Sequence, residues 1–139
     1  MRPASVNQTS ILYLITELKI GGAERVVQKL ATQLPKGRYS VLVACLYDAG
    51  AVADELIASG VRIVNLGMRG KWDLRVVYRL FQLLRNERIQ ILHSHMFHAN
   101  LLAAIVGKIA NVPIIIATRH NVDIGGMQRE QINRWVRGL

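Results

Sequence analysis

The stretch LITELKIGGAERVVQKLATQL, Leu14 to Leu34, changes its period halfway along. Its first residues continue an apolar run, Ile11 to Thr16, of strand length. From Gly22 to Leu34 the apolar residues Ala23, Val26, Val27, Leu30, Ala31 and Leu34 share one side of a 3.6-residue helix. Pro35-Lys36-Gly37 then stops that helix. A strand, a double glycine and an amphipathic helix in succession open a βαβ unit.

The rest of the chain repeats the alternation. Further strands are expected at Tyr39 to Leu46, Val61 to Leu66, Ile89 to His93 and Pro113 to Thr118. Helices are expected at Val52 to Ser59, Asp73 to Asn86 with Asp73 as N-cap, Phe97 to Ala110 and Gln128 to Val136. Short strands that are apolar on both faces belong inside a parallel sheet with helices on either side. The expected fold is therefore α/β: a doubly wound, Rossmann-like parallel β-sheet in three layers, strand order 3-2-1-4-5. Such sheets bind ligands beyond the carboxyl ends of their strands, where the winding reverses. That rule gathers Gly21-Gly22, His93-Ser94-His95 and Arg119-His120-Asn121 at one edge.

At 139 residues the chain is one domain's worth, and 51% hydrophobic residues with a mean hydropathy of +0.22 exclude intrinsic disorder. The lone Cys45 lies in an apolar run, which excludes a disulfide framework and a cysteine-rich zinc site and fits a reducing compartment. No secretory signal opens the sequence, and Lys108, Asn111 and Pro113 break its longest apolar region, so a cytoplasmic location is expected. The net charge is +9, with 8 basic against 5 acidic residues in 1–70 and 10 against 4 in 71–139. This excess favours an anionic partner: nucleic acid, an anionic membrane or a phosphorylated substrate.

Two glycines before a helix let the backbone turn sharply and let a ligand approach unprotected N–H groups at the positive end of the dipole. The spacing is neither G-x-G-x-x-G nor a P-loop, and Glu24 puts a negative charge in the first turn. A phosphate cradle and a plain tight turn both fit. All four histidines fall between 93 and 120. His93, His95 and His98 lack the neighbouring Cys, Asp or Glu that would complete a zinc set. His95 and His120 end neighbouring strands at the ligand edge, where imidazole serves as hydrogen-bonding group or as acid and base; capping a strand end is the plainer role for all four.

Lys71 to Arg88 is two-faced. Leu74, Val76, Val77, Leu80, Phe81, Leu83 and Leu84 share a broad apolar face, and Lys71, Arg75, Arg79, Gln82 and Arg85 the other. The plain reading is a core-packed helix with a solvated basic face. The sharper one is peripheral contact with anionic headgroups on the inner face of a membrane through Lys71, Arg75, Arg79 and Arg85. No aromatic platform interleaves with these cations, so no nucleic-acid partner is expected.

ILYLITELKIGGAERVVQKLATQL, IQILHSHMFHANLLAAIVGKIANVPIIIATRHN and the order between them resemble the N-terminal, acceptor-side domain of retaining glycosyltransferases of the GT-B fold, family four. The resemblance covers essentially all of residues 1–139 as a single Rossmann-like domain. It implies transfer of a sugar from a nucleotide-sugar donor to a sugar, lipid-linked or other hydroxyl acceptor. It further implies that Gly21 and Gly22 lie beside the donor diphosphate and that His95 and His120 line the cleft near the transferred sugar. Arg119, Asn121 and Glu24 join the donor and acceptor site. No Asp-x-Asp is present, so metal-independent transfer is implied, with no cofactor. The family's C-terminal donor-binding domain is absent from this sequence, which reads as a truncated enzyme or an excised domain, inactive alone. Two other readings stay open: the Rossmann-type nucleotide-binding domain of an oxidoreductase, and a non-catalytic basic module for anions or membranes.

Overall fold

A computed structural model describes residues 8–18, 22–47, 49–70 and 73–119. Nine elements follow one another: β1 (Thr9–Ile15), α1 (Gly22–Gln33), β2 (Tyr39–Cys45), α2 (Ala51–Ala58), β3 (Arg62–Asn65), α3 (Leu74–Asn86), β4 (Ile91–His95), α4 (Phe97–Ile109) and β5 (Ile114–Thr118). The strands form one parallel sheet in the order β3-β2-β1-β4-β5, as the alternation predicts. The helix expected at Gln128 to Val136 lies outside the described residues.

Side-chain alternation along the strands splits the core into two layers. Ile11, Tyr13, Ile15, Val43 and Cys45 pack with Val27 and Ala31 of α1 and Val52, Ala53 and Leu56 of α2. Leu12, Leu14, Leu42, Ala44 and Leu92 pack on the opposite face with Val76, Leu80 and Leu84 of α3 and Ala99, Ala103 and Val106 of α4. Cys45 is fully buried, the small hydrophobe its sequence context suggests.

Two departures from the sequence reading have local causes. β4 begins and ends two residues later than expected, so it carries His95 as its last residue. Ile89 closes the stop that follows α3 instead: Arg88 adopts φ 51°, and the Ile89 N–H donates back to the Leu84 carbonyl at 3.1 Å. That is a left-handed helix stop, made before the strand can start. Leu74, expected on the apolar face of its helix, is instead 78% exposed on the outer side. It is the first residue of α3, beyond the reach of the core contacts that Val76, Leu80 and Leu84 make.

α4 packs tightly against the sheet through the small residues on its inner side. A Cβ added at Gly107 would stand 2.9 Å from both Leu92 Cδ2 and Ile115 Cδ1. Gly107→Val should therefore cost about 2 kcal/mol through overpacking, measured by urea denaturation. An unchanged midpoint would mean that α4 can move outward freely.

Asp73 caps α3 as expected, accepting the Arg75 N–H at 3.1 Å, and also accepts the Arg69 N–H at 3.1 Å. The Arg75 side chain, followed by the Arg69 N–H, holds its carboxyl at about 2, below the ordinary 3.8. A carboxylate with a depressed folded-state pKa stabilises above its unfolded pKa and loses that contribution as pH falls through the folded value. Asp73→Ala should lower the urea midpoint at pH 7, and the gap from the parent should close between about pH 4 and pH 2. A gap that persists at pH 2 would place the effect in packing instead.

Candidate functional site

The parallel registers carry three strand ends to one edge. Ile15 of β1 pairs with His95 of β4, and His95 pairs with Thr118 of β5. Gly22, the first residue of α1, and Phe97, the first of α4, start at this edge because each helix leaves the carboxyl end of its strand. Of the three loops the sequence singles out, the structure thus joins Gly22, His93-Ser94-His95 and Arg119. Gly21, His120 and Asn121 lie outside the described residues.

Gly22 has no positive φ, and a Cβ built on it meets nothing within 4 Å. The turn therefore does not require glycine at this position for its backbone or its packing. Any demand for a bare backbone there must come from outside the described residues, as a ligand would supply it. Glu24 follows in the first turn, 6% exposed, on the same inner arc of α1 as Ala23, Val27 and Ala31. Among the described residues its carboxylate has no hydrogen-bond or ion-pair partner. Thr16, one residue past β1, likewise buries an Oγ1 without a partner. Buried polar groups in native proteins are nearly always bonded, so the Thr16 hydroxyl at this edge calls for a partner.

His95 is fully enclosed. Its ring lies 4.2 Å from that of His93 and 6.1 Å from that of Tyr13, so the cluster is a packed trio, not a row of side chains reaching into solvent. Burial pushes the Tyr13 hydroxyl pKa up, with Tyr39 adding to the shift, which keeps the phenol neutral and able to donate. His93 Nε2 shares a 2.7 Å hydrogen bond with Thr118 Oγ1. Arg119 is half-buried beside this end of β5 and makes no ion pair among the described residues. No three His, Cys, Asp or Glu side chains among the described residues cluster as metal ligands.

The turn from β4 into α4 is strained. Met96 sits at φ 77°, ψ 160°, a region that only glycine occupies comfortably, at a cost of order 1–3 kcal/mol. A buried polar clamp holds it. Ser94 Oγ donates to Asn100 Oδ1 at 2.7 Å, and Asn100 Nδ2 donates to the Thr118 carbonyl at 3.1 Å. The same carbonyl accepts the Met96 N–H at 3.3 Å, and Met96 O accepts the Asn100 N–H at 2.8 Å. Sequence reasoning passed over Ser94, Asn100 and Thr118 as site-shaping residues. Their signal was present: a serine between two histidines and an asparagine inside an alanine-rich helix are polar groups in a segment otherwise built for burial.

The model for Glycosyltransferase Family 4 matches residues 20–139. A curated relative, the UDP-Gal:alpha-D-GlcNAc-diphosphoundecaprenol alpha-1,3-galactosyltransferase of Escherichia coli, is 22% identical over 121 residues. That match takes in 81% of this chain and 30% of the relative, so the chain spans under a third of the relative's length. With the strand order and the histidine-bearing strand end already in place, the match over residues 20–139 is the decisive one: the chain belongs to Glycosyltransferase Family 4.

Proposed function

We propose that this domain forms the acceptor side of a glycosyltransferase that moves a sugar from a nucleotide-sugar donor to a lipid-linked diphospho-sugar, with retention at the anomeric carbon. Family membership supports glycosyl transfer, and the name of the E. coli relative supports the class of donor and acceptor. In this reading a second domain, not part of this sequence, holds most of the nucleotide. The oxidoreductase alternative gains nothing: neither the family nor the relative points to it.

The observation that carries the site is the open space over Gly22 beside the unsatisfied buried hydroxyl of Thr16 and the inward-turned Glu24. The α1 N-terminus presents backbone N–H groups and a positive dipole end to the donor diphosphate, stabilising the charge that develops as the nucleotide leaves. Arg119 adds a cation at the same edge. Glu24 accepts from sugar or acceptor hydroxyls, which supplies the bonds its carboxylate lacks. Transfer is taken as metal-independent and without a cofactor. Gly21, His120 and Asn121 complete the site in this reading, with His120 nearest the transferred sugar. His95 acts from behind, through its stacking on His93 and Tyr13. The domain works at the cytoplasmic face.

Gly22→Val tests the assignment in the complete enzyme, with labelled UDP-galactose and GlcNAc-diphosphoundecaprenol as substrates. Because nothing in the fold occupies the space, the urea midpoint should stay within error while transfer falls at least about tenfold, or roughly 1.4 kcal/mol in the transition state. Normal turnover in the folded variant would remove the turn from the site. His120→Ala should lower transfer to a similar degree. Glu24→Gln should also lower transfer while the protein stays folded, since the amide loses the negative charge and replaces one of the two acceptor oxygens with an NH2 donor. Undiminished transfer by Glu24→Gln would reduce Glu24 to a first-turn charge that merely complements the helix dipole.

A further inference from the structure

The two helical layers of the molecule differ in charge. α1 and α2 carry Arg25 and Lys29 against Glu24, Asp54 and Glu55, and they are joined by a 2.6 Å ion pair from Arg25 to Glu55. α3 and α4 carry Arg75, Arg79, Arg85 and Lys108 and no acidic residue at all. They lie side by side on one face of the sheet, over the same core cluster.

That acid-free layer also exposes its largest apolar side chains. On α3, Leu74 and Tyr78 are 78% and 62% exposed, one turn apart. On α4, Phe97, Leu101, Ile105 and Ile109 follow at four-residue intervals, and Phe97 and Ile109 are more than 60% exposed. An i, i+4 series forms one ridge along a helix. The inner arc of α4 is already filled with Ala99, Ala103, Ala104 and Gly107, so this ridge is a second apolar face, not a misplaced core.

We propose that the outer α3–α4 face seats the domain on an anionic lipid surface, with the Leu74–Tyr78 and Phe97–Ile109 ridges entering the interfacial layer and Arg85 and Lys108 meeting the headgroups. Charge chooses an anionic occupant, and the ridge chooses lipid. Nucleic-acid phosphates would satisfy the cations but leave the isoleucines in water. A second copy docked face to face would oppose two surfaces that each carry a net positive charge. Lipid alone answers both features. Not every basic side chain of α3 is available: Arg79 Nη1 donates to the Leu66 carbonyl at 2.8 Å, and Arg75 pairs with Asp73 at 3.2 Å. Lys71 lies outside the described residues. The arginines expected to carry a purely electrostatic contact are thus partly engaged, and apolar insertion supplies the larger share. Both helices begin at the ligand edge, which would put Leu74, Phe97 and the site mouth beside the membrane.

The inference rests on the transfer reading only for the biological use of the contact. Its test contains neither donor nor acceptor, so either can fail without the other. The full chain is sedimented with vesicles of equal parts phosphatidylglycerol and phosphatidylethanolamine. The parent should bind, and I105E/I109E should bind at least about tenfold more weakly, since two exposed isoleucines no longer enter the lipid. Ile57→Glu is the control: Ile57 is 58% exposed on α2, across the sheet, and its loss should change nothing. Folding of each variant is checked by its urea midpoint, and I105Q/I109Q replaces the first pair if that midpoint falls. Part of the parent's binding should survive 1 M salt, where the Debye length is about 3 Å. R85Q/K108Q should weaken the salt-sensitive part only. Parent-like binding by the isoleucine variants, complete release of the parent at 1 M salt, or retention on duplex DNA without vesicle binding would each overturn the proposal. So would a parent dimer in sedimentation velocity that I105E/I109E converts to monomer without lipid.

Discussion

β1 is hydrogen-bonded on both sides, to β2 from Thr9 through Ile15 and to β4 from Ile11 through Ile15. The chain winds outward from it in one direction through β2 and β3, then crosses back through α3 to lay β4 on its other side. Everything functional in the molecule hangs on that second pairing. Right-handed crossovers force α1 and α2 onto one face and α3 and α4 onto the other. The helices leaving β1 and β4 therefore part at the carboxyl edge, and the gap between them is where a ligand can reach backbone N–H groups. The Ile15–His95 register fixes the depth of that gap, because it sets the last residue of β4 level with the last of β1. A slip of one residue would turn His93 and His95 onto the α3–α4 face and Ser94 away from Asn100.

The strain at Met96 follows from the same geometry. β4 must hand over to α4 within one residue, and α4 must settle close enough for Gly107 to touch Leu92 and Ile115. A wider turn would lift the helix from the sheet. The Ser94–Asn100–Thr118 clamp and the alanine-rich inner side of α4 offset the unfavourable backbone, with Ser94 and Asn100 buried and their bonds made. Thr118 also bonds His93, so the clamp ties the strained turn, the histidine cluster and the end of β5 into one rigid unit. Such a unit holds groups in place without adjustment when a ligand arrives.

The fold was legible because its signals are local and repeated. Apolar runs of strand length, Asp73 before a helix and Pro35-Lys36-Gly37 after one are each read within a few residues. The placement of β4 was not, because it depends on a competition: Ile89 is as apolar as any strand residue, yet the left-handed stop at Arg88 claims it. Of the site, the convergence of Gly22, His95 and Arg119 at one edge followed from topology alone. The enclosure of His95 did not, since burial at a strand end depends on how neighbouring rings stack. Glu24 read as a first-turn charge; that it turns inward shows only when α1 is laid on the sheet. Leu74 misled for a related reason: a helical projection assigns faces, but the first residue of a helix can overhang the core it is projected onto.

The α4 helix joins the two halves of the argument, because its opposite sides answer to different solvents. Its inner side carries alanine, glycine and the buried Asn100, and is shaped by contact with the sheet. Its outer side carries a ridge of large apolar residues that no described element covers. A helix apolar on both sides is expected in a core or at a lipid boundary, not on an aqueous surface. None of the described helices is long and apolar enough to cross a membrane, and at 13 residues α4 is sized for an interface, not a span. The net positive charge of the same layer gives the boundary its sign. Because parallel topology starts both α3 and α4 at the ligand edge, a lipid surface resting on them would meet the site at its mouth.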